Sequence, residues 1–280
     1  MASLATIMPA DPQDASYLFD LVERLSPALS APLYPVCSLE NSVRPVPHAS
    51  AVCLSVGPRR FILTAAHVRD DAGDLPLGVI LPTHVAVLSG DWLIPARIGE
   101  SLPSRLDLAL LEPSLSLRSS LENVPAVSLS AIASLSPSRE TATITAAFFV
   151  TMGYPLGKQP RRFVPPEYRA HIWRLLSKGA PVESYPSEGV DPEHHLLLEF
   201  NKKRVFTSLG LATSPDPIGA SGGAVWWIRV TDRGPDPRLV AIPTVWRKQA
   251  RQILATRVFV ALAALWHAFP DLRPLLDQAD

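Results

Sequence analysis

Residues able to perform nucleophilic catalysis occur in three separate segments of the chain. The first surrounds Ser221, in residues 217–223, which read PIGASGG. Glycines on both sides of a serine allow backbone angles that side chains forbid and leave room for a substrate. A serine hydroxyl is a weak nucleophile that needs an adjacent base, and the N–H groups of Gly219 and Ser221 could form an oxyanion hole. Taken alone, a segment of this kind is more often a structural glycine-rich turn than a catalytic loop.

A histidine and an aspartate that could complete this chemistry occur in two apolar, strand-like runs. His67 follows FILTAA in residues 61–66, and Asp107 interrupts LDLALL in residues 106–111. A histidine at a strand end is often only a hydrogen-bonded core residue, and the aspartate could simply cap a turn. A buried aspartate without a partner is nevertheless costly, and a histidine N–H would supply one. We therefore predict a triad in which His67 is the base for Ser221 and Asp107 orients His67.

Together, the three segments resemble the trypsin-like serine proteases of the chymotrypsin fold. The signatures of that family are Thr-Ala-Ala-His, Asp-Ile-Ala-Leu-Leu and Gly-Asp-Ser-Gly-Gly, and this chain has TAAH, DLALL and GASGG in the same order. The resemblance covers about residues 45–269. It implies an all-β fold of two packed six-stranded-type β-barrels with the catalytic cleft between them. It also implies a serine endopeptidase that acts on a protein or peptide through an acyl-enzyme and needs no cofactor.

The chain departs from that family beside the serine. Ala220 stands where digestive and clotting enzymes have an aspartate, which there pairs with a freshly cut N-terminus and organises the oxyanion hole. Ala220 cannot form this ion pair, and the sequence has no basic cleavage site followed by Ile-Val-Gly-Gly. We therefore expect that the enzyme does not mature by N-terminal trimming.

The preferred substrate is less well defined by the sequence. Counting back from Ser221 places either Pro215 or Asp216 at the base of the substrate pocket. Asp216 there would select Lys or Arg, whereas Pro215 would favour a small or apolar side chain. Pro243 and Thr244 are further pocket candidates, because the strand at this place in the family pairs with the substrate backbone.

Hydrophobic spacing and turn residues indicate the elements that position these side chains. Many short β-like runs separated by turn signals predict a barrel architecture, with a short N-terminal helix and a C-terminal helix. Three regions are expected: residues 1–48, with a helix over 12–28 and an extended loop over 28–48; residues 49–125, the first barrel with His67 and Asp107; and residues 126–280, the second barrel with Ser221, an insertion over 158–192 containing a helix within 166–178, and a C-terminal helix over 259–269.

Composition agrees with this assignment. The 280 residues are 47% hydrophobic and include 29 prolines, which argue against long helices. Because 26 basic residues balance 26 acidic ones, nucleic acid is not an expected partner. The two cysteines, Cys37 and Cys53, are predicted to be free and buried.

The expected location of the protein follows from the same features. Sparse cysteine usage favours a reducing compartment. Residues 1–10 lack the features of a signal peptide, and the longest apolar run is too short to span a bilayer. These features predict a cytoplasmic, bacterial protein that does not interact with membranes.

A pair of adjacent histidines lies among acidic residues and could suggest a metal site. His194 and His195 lie beside Asp191 and Glu193, but adjacent histidines on a strand point to opposite faces, so no metal site is predicted.

The main functional hypothesis is an endopeptidase controlled by a regulatory protein partner in a bacterial stress or defence system. The alternative is a catalytically silent trypsin-like binding module, and an esterase is a third hypothesis.

Overall fold

The computed structural model describes residues 12–40, 44–95, 106–133, 148–160, 170–181, 183–187, 190–203, 205–207 and 210–278. Two curled antiparallel sheets form half-barrels, and a few helices flank them, as the sequence predicts. The strands are β1(Leu33–Glu40), β2(Arg44–Val56), β3(Arg59–Thr64), β4(Leu77–Ile80), β5(Val85–Val87), β6(Gly90–Leu93), β7(Ala109–Pro113), β8(Val127–Ser128), β9(Phe148–Gly153), β10(Trp173–Lys178), β11(His195–Glu199), β12(Val205–Thr207), β13(Gly210–Ala212), β14(Ala224–Thr231), β15(Gly234–Arg247) and β16(Gln252–Arg257). The helices are α1(Pro12–Ser30), α2(Ala66–Ala72), α3(Leu115–Leu121), α4(Ser184–Ser187), α5(Phe259–Ala268) and α6(Arg273–Leu276).

The first sheet positions the histidine and the aspartate. Its strand order is β5-β4-β1-β2-β3-β7-β6, with β8 beside β2 in parallel. Strand β3 is an apolar run that pairs with β7, and Thr64 lies opposite Ala109 in this register. His67 follows the end of β3 and Asp107 precedes the start of β7. Because antiparallel neighbours bring the end of one strand beside the start of the next, the two residues meet at one edge of the sheet.

The second sheet positions the serine. Its order is β10-β9-β14-β15-β16-β11, and a bridge between Gly179 and Leu198 joins the two outer strands. The loop over residues 217–223 leads directly into β14. Strand β15 pairs with β14 on one side and with β16 on the other. Its register against β16 shifts between Pro243 and Val245, so Thr244 lies at a bulge. Bulges redirect side chains and are frequent beside active sites.

A shared apolar core holds the two sheets together. Leu54 and Phe61 of the first sheet belong to the same buried cluster as Met152 and Trp226 of the second. Helices α1 and α5 also contribute buried side chains to this cluster, which therefore packs both half-barrels and both helices as one unit. Among the described residues, no helix is long and apolar enough to cross a membrane.

Residues 28–48 differ from the prediction of an extended loop, which was wrong. Strand β1 occupies the centre of the first sheet between β2 and β4, and β2 already begins at Arg44. Prolines at positions 35, 45 and 47 hide the strand pattern in the sequence, although proline is tolerated where a strand needs no N–H donor. Helix α1 likewise continues past Pro27 to Ser30, because core packing of Leu29 compensates for the missing donor.

The helix predicted within residues 166–178 is also not observed where the structure describes it. Trp173–Lys178 is strand β10, in which buried positions alternate with more exposed ones. The apolar spacing of this short run fits either period, and pairing with β9 favours the strand. Residues 161–169 lie outside the described part of the chain.

Two other predictions are confirmed. Helix α5 occupies residues 259–268, where the C-terminal helix was expected. Cys37 and Cys53 are both free and buried. Burial raises the pKa of Cys37 to about 12 and that of Cys53 to about 11, so both thiols stay protonated and unreactive at neutral pH.

Candidate active site

Asp107 holds His67 through two hydrogen bonds. One carboxylate oxygen accepts from the His67 backbone N–H at 2.9 Å. The other lies 2.6 Å from His67 Nδ1. His67 is the second residue of α2, and the buried residues Leu106 and Leu108 flank Asp107. This arrangement places the ring proton on Nδ1 and leaves Nε2 as the basic nitrogen.

The carboxylate also makes His67 a stronger base. The hydrogen bond that the Asp107 carboxylate accepts raises the pKa of His67, and burial of the ring opposes part of this effect. The side chains of His67 and Asp107 are 36% and 22% exposed. The pair is therefore partly shielded from water while one face of the imidazole stays accessible.

The backbone of the loop that carries Ser221 is fixed by its carbonyl groups. Each of the five carbonyls from Pro217 to Ser221 accepts a hydrogen bond from within the protein. The donors, in order, are Ala220 N at 2.8 Å, Leu156 N at 2.7 Å, Ser50 Oγ at 2.9 Å, Gly223 N at 3.0 Å and Ser50 N at 2.9 Å. A loop with five consecutive carbonyls engaged has little freedom to rotate those peptide units.

The N–H groups of Gly219 and Ser221 are left unused. In the part of the chain that the structure describes, neither Gly219 N nor Ser221 N donates to a protein acceptor. The C=O and N–H of a trans peptide point in opposite directions. Because the Ile218 carbonyl faces Leu156, the N–H of Gly219 points away from Leu156. By the same reasoning, the N–H of Ser221 points away from Gly223, the donor to the Ala220 carbonyl.

The hydroxyl of Ser221 does not hydrogen-bond to His67 in this structure. It donates instead to the carbonyl of Thr244, on the bulge of β15, at 3.0 Å. The backbone of Ser221 is nevertheless tied to the strand that leads to His67. Ser50 N donates to the Ser221 carbonyl, and Thr64, three residues before His67, donates its hydroxyl to the Ser50 carbonyl at 2.8 Å.

Gly222 permits the close contact between the serine loop and the first sheet. Its φ of 82° lies in the left-handed region, which favours glycine. A Cβ atom at this position would overlap the Ser50 carbonyl oxygen and the Thr64 hydroxyl. The glycine after Ser221 is thus required by both backbone angle and space.

A cavity of about 20 Å³ lies beside Ser221, which is room for roughly one water molecule. Its walls include Pro243 and Thr244, two of the residues expected at the substrate pocket. Pro215 and Asp216 do not line it, and Asp216 forms an ion pair with Lys202 at 2.5 Å.

The sequence analysis missed most of the other residues that line this cavity, including Thr151, Trp173 and Trp246. The rings of Trp173 and Trp246 narrow it, and the buried hydroxyl of Thr151 faces it without a hydrogen-bond partner in the described chain. Phe200 packs edge-on against both rings, at centroid distances of 5.8 and 6.1 Å. No local motif marks these four residues, because they are far apart in sequence. Thr151, Trp173 and Trp246 lie on β9, β10 and β15, and Phe200 directly follows β11.

The histidine pair His194 and His195 lies away from these residues, at the start of β11. Asp191, Glu193 and His194 form the one described cluster whose ligand atoms are close enough to hold a metal ion. His194 Nδ1 is already bonded to Asp191 at 2.5 Å. The hydrogen bond uses one candidate ligand atom from each residue.

Comparison with known proteins shows the fold. No family model and no curated protein sequence matches the chain. Among solved structures, it is similar to neuropsin, a serine protease expressed in the limbic system of mouse brain. The TM-score is 0.50 at 12% identity, and the match covers 86% of this chain and 95% of neuropsin. The chain has a chymotrypsin-like fold. At this identity the likeness concerns architecture alone.

Proposed function

We propose that the protein is a serine endopeptidase that uses Ser221 as nucleophile, His67 as general base and Asp107 as the residue that orients His67. The observation that carries this proposal is that the Asp107 carboxylate accepts hydrogen bonds from both the backbone N–H and the ring Nδ1 of His67. The backbone contact fixes the carboxylate beside the ring, and the Nδ1 contact sets the ring's tautomer and orientation, as a general base requires.

The reaction begins when the Ser221 hydroxyl turns from the Thr244 carbonyl towards His67 Nε2. His67 takes the hydroxyl proton while Ser221 Oγ attacks the peptide carbonyl carbon. The N–H groups of Gly219 and Ser221 stabilise the oxyanion. His67 then gives its proton to the departing amine as the C–N bond breaks, which leaves an acyl-enzyme. Water, deprotonated by His67, hydrolyses this ester and restores the serine.

The proposed substrate is a peptide with a small residue before the cleaved bond. A cavity of about 20 Å³ admits a methyl or hydroxymethyl group but not an aromatic or long basic side chain. Selection of Lys or Arg by Asp216 is disfavoured, because Lys202 already neutralises that carboxylate. The Thr151 hydroxyl, which has no hydrogen-bond partner in the described chain, would suit the hydroxyl of a serine in this cavity.

A fluorophosphonate probe tests the nucleophile. The wild-type protein should be labelled at Ser221, and Ser221→Ala should not be labelled. Ser119→Ala, which removes an exposed hydroxyl on α3, is the matched control and should be labelled like wild type. Labelling of Ser221→Ala at another residue would contradict the assignment.

The alternative of a catalytically silent binding module is favoured by one observation. The Ser221 hydroxyl is bonded to the Thr244 carbonyl and not to His67. In a silent module this contact would persist and no serine-directed probe would react. Labelling that depends on His67 as well as on Ser221 would exclude this alternative. Control by a protein partner remains a prediction.

A further inference from the structure

Ser50 is a buried serine of β2 that contacts both halves of the molecule. It is completely inaccessible to solvent. Its hydroxyl donates to the Gly219 carbonyl at 2.9 Å and accepts from Tyr154 N at 2.8 Å. Its N–H donates to the Ser221 carbonyl at 2.9 Å, and its carbonyl accepts from the Thr64 hydroxyl at 2.8 Å. All the polar groups of this residue are thus engaged.

The side chain joins the serine loop to the end of β9. Tyr154 and Leu156 lie on the turn after β9, and Leu156 N donates to the Ile218 carbonyl. Through its hydroxyl, Ser50 therefore bonds the loop directly and also bonds the turn that holds the loop from the other side. Leu156 consequently fixes the peptide unit between Ile218 and Gly219, and the Ser50 hydroxyl fixes the unit between Gly219 and Ala220.

Contacts with Leu156 and Ser50 hold the peptide units that carry or flank the candidate oxyanion donors. The Gly219 N–H shares a unit with the Ile218 carbonyl, which accepts from Leu156, whereas the Ser221 N–H shares a unit with the Ala220 carbonyl. Ser50 donates to the carbonyls of Gly219 and Ser221, which belong to the units on either side of that second one. If the Gly219 carbonyl lost its donor, the loop could rotate and its carbonyl could turn towards the space that the substrate oxygen needs. An oxyanion hole is effective only when its donors are in place before the reaction.

We infer that Ser50 is a positioning residue that holds the oxyanion hole in its working conformation without an ion pair. This inference rests on the proposed function. Position 220, beside the nucleophile, is a buried alanine that packs against Gly153 and carries no charge. The hydrogen bonds of Ser50, which form when the two sheets pack together, perform the organising role.

The test compares Ser50→Ala and Ser50→Thr with wild type. The matched control is Ser55→Ala, on the same strand, because the Ser55 hydroxyl bonds only to the nearby Gly57 carbonyl. Turnover of a peptide with alanine before the cleaved bond should show kcat about 10- to 100-fold lower for Ser50→Ala, with KM changed less than about threefold. Ser50→Thr, which retains a hydroxyl, should recover most of kcat. The control should match wild type.

Hydrogen exchange of residues 217–223 provides a second measurement that does not need activity. The protected amides of Ala220, Gly222 and Gly223 should exchange at least about tenfold faster in Ser50→Ala than in wild type. Two results for Ser50→Ala would overturn the inference. One is an unchanged kcat when the wild type is active, and the other is a fall in kcat matched by an equal rise in KM, with unchanged exchange of the loop amides. If wild type shows no Ser221-dependent turnover, the proposed function fails, and exchange alone then decides the role of Ser50.

Discussion

Replacing Asp107 with asparagine would test the triad through a single atom. The carboxylate uses one oxygen for the His67 backbone N–H and the other for Nδ1. Asparagine has only one oxygen, so its NH2 group must face one of these two nitrogens. If the oxygen keeps the backbone contact, the NH2 group donates to Nδ1 and the ring proton moves to Nε2. His67 could then no longer accept the proton of Ser221.

The expected loss is large because the tautomer is wrong in nearly every molecule. The same exchange in a well-studied serine protease triad lowers kcat by about 10⁴-fold, which corresponds to about 5 kcal/mol of activation free energy. Overall folding should be kept, since the substitution preserves side-chain size and the exposed edge of the pair tolerates water.

The assay is kcat/KM on an alanine-containing peptide, combined with thermal unfolding. Asp91→Asn is the matched control, because Asp91 is an exposed residue of the adjacent strand β6. A variant that stays folded and retains kcat/KM within about tenfold of wild type would refute the role of Asp107. A loss equal to that of His67→Ala, with no further loss in the double variant, would support a unit that acts together.

Three other predictions concern the loop, the pH and the pocket. Gly222→Ala should lower the free energy of unfolding by about 2–4 kcal/mol and unfold at a lower temperature, because its φ of 82° strains a side chain and the Ser50 carbonyl leaves no room for Cβ. Gly157→Ala is the control and should be neutral, because nothing lies within 4 Å of a Cβ atom there. Asp107 raises the pKa of His67 above its ordinary 6.5, so kcat/KM should rise with pH along a limb centred above 6.5, and a limb centred below 6.5 would contradict the assignment. The stability that this pair contributes should be complete below pH 6.5 and should be lost as pH rises through the folded-state pKa of His67. Asp216→Asn should leave the preference for small residues over Lys and Arg unchanged in a peptide-library assay, and a switch in preference would place Asp216 in the pocket.

Short chemical motifs made part of this molecule predictable from its sequence. His67 and Asp107 lie within three residues of the apolar strands β3 and β7, and a polar residue beside such a buried run must find a partner. The glycines around Ser221 likewise reflect a local backbone constraint, since φ at Gly219 and Gly222 is positive. These features are readable because each depends on residues that are close in sequence.

The remaining features depend on contacts that sequence spacing does not encode. Strand β1 was missed because Pro35 weakens its alternating pattern, although its neighbours β2 and β4 supply the pairing. Ser50 looks like an ordinary small residue in an apolar strand, yet its partners lie 104 and 169 residues away. The one available signal was a lone hydroxyl at a position surrounded by buried apolar residues. The orientation of the Ser221 hydroxyl towards Thr244 likewise follows from the bulge in β15.

The long-range bond between Ser50 and Gly219 also has a consequence for how the protein is made. The first sheet is synthesised well before residue 219, and the loop receives the Ser50 donor only after both sheets have packed together. Contacts over such separations form late in folding, because the chain must close a long loop first. A half-made or half-folded chain would therefore contain His67 and Asp107, or even Ser221, without a shaped oxyanion hole. Under the proposed function, the capacity to cleave peptides would arise only when the fold is complete, so the nascent chain would be harmless to its surroundings and to itself.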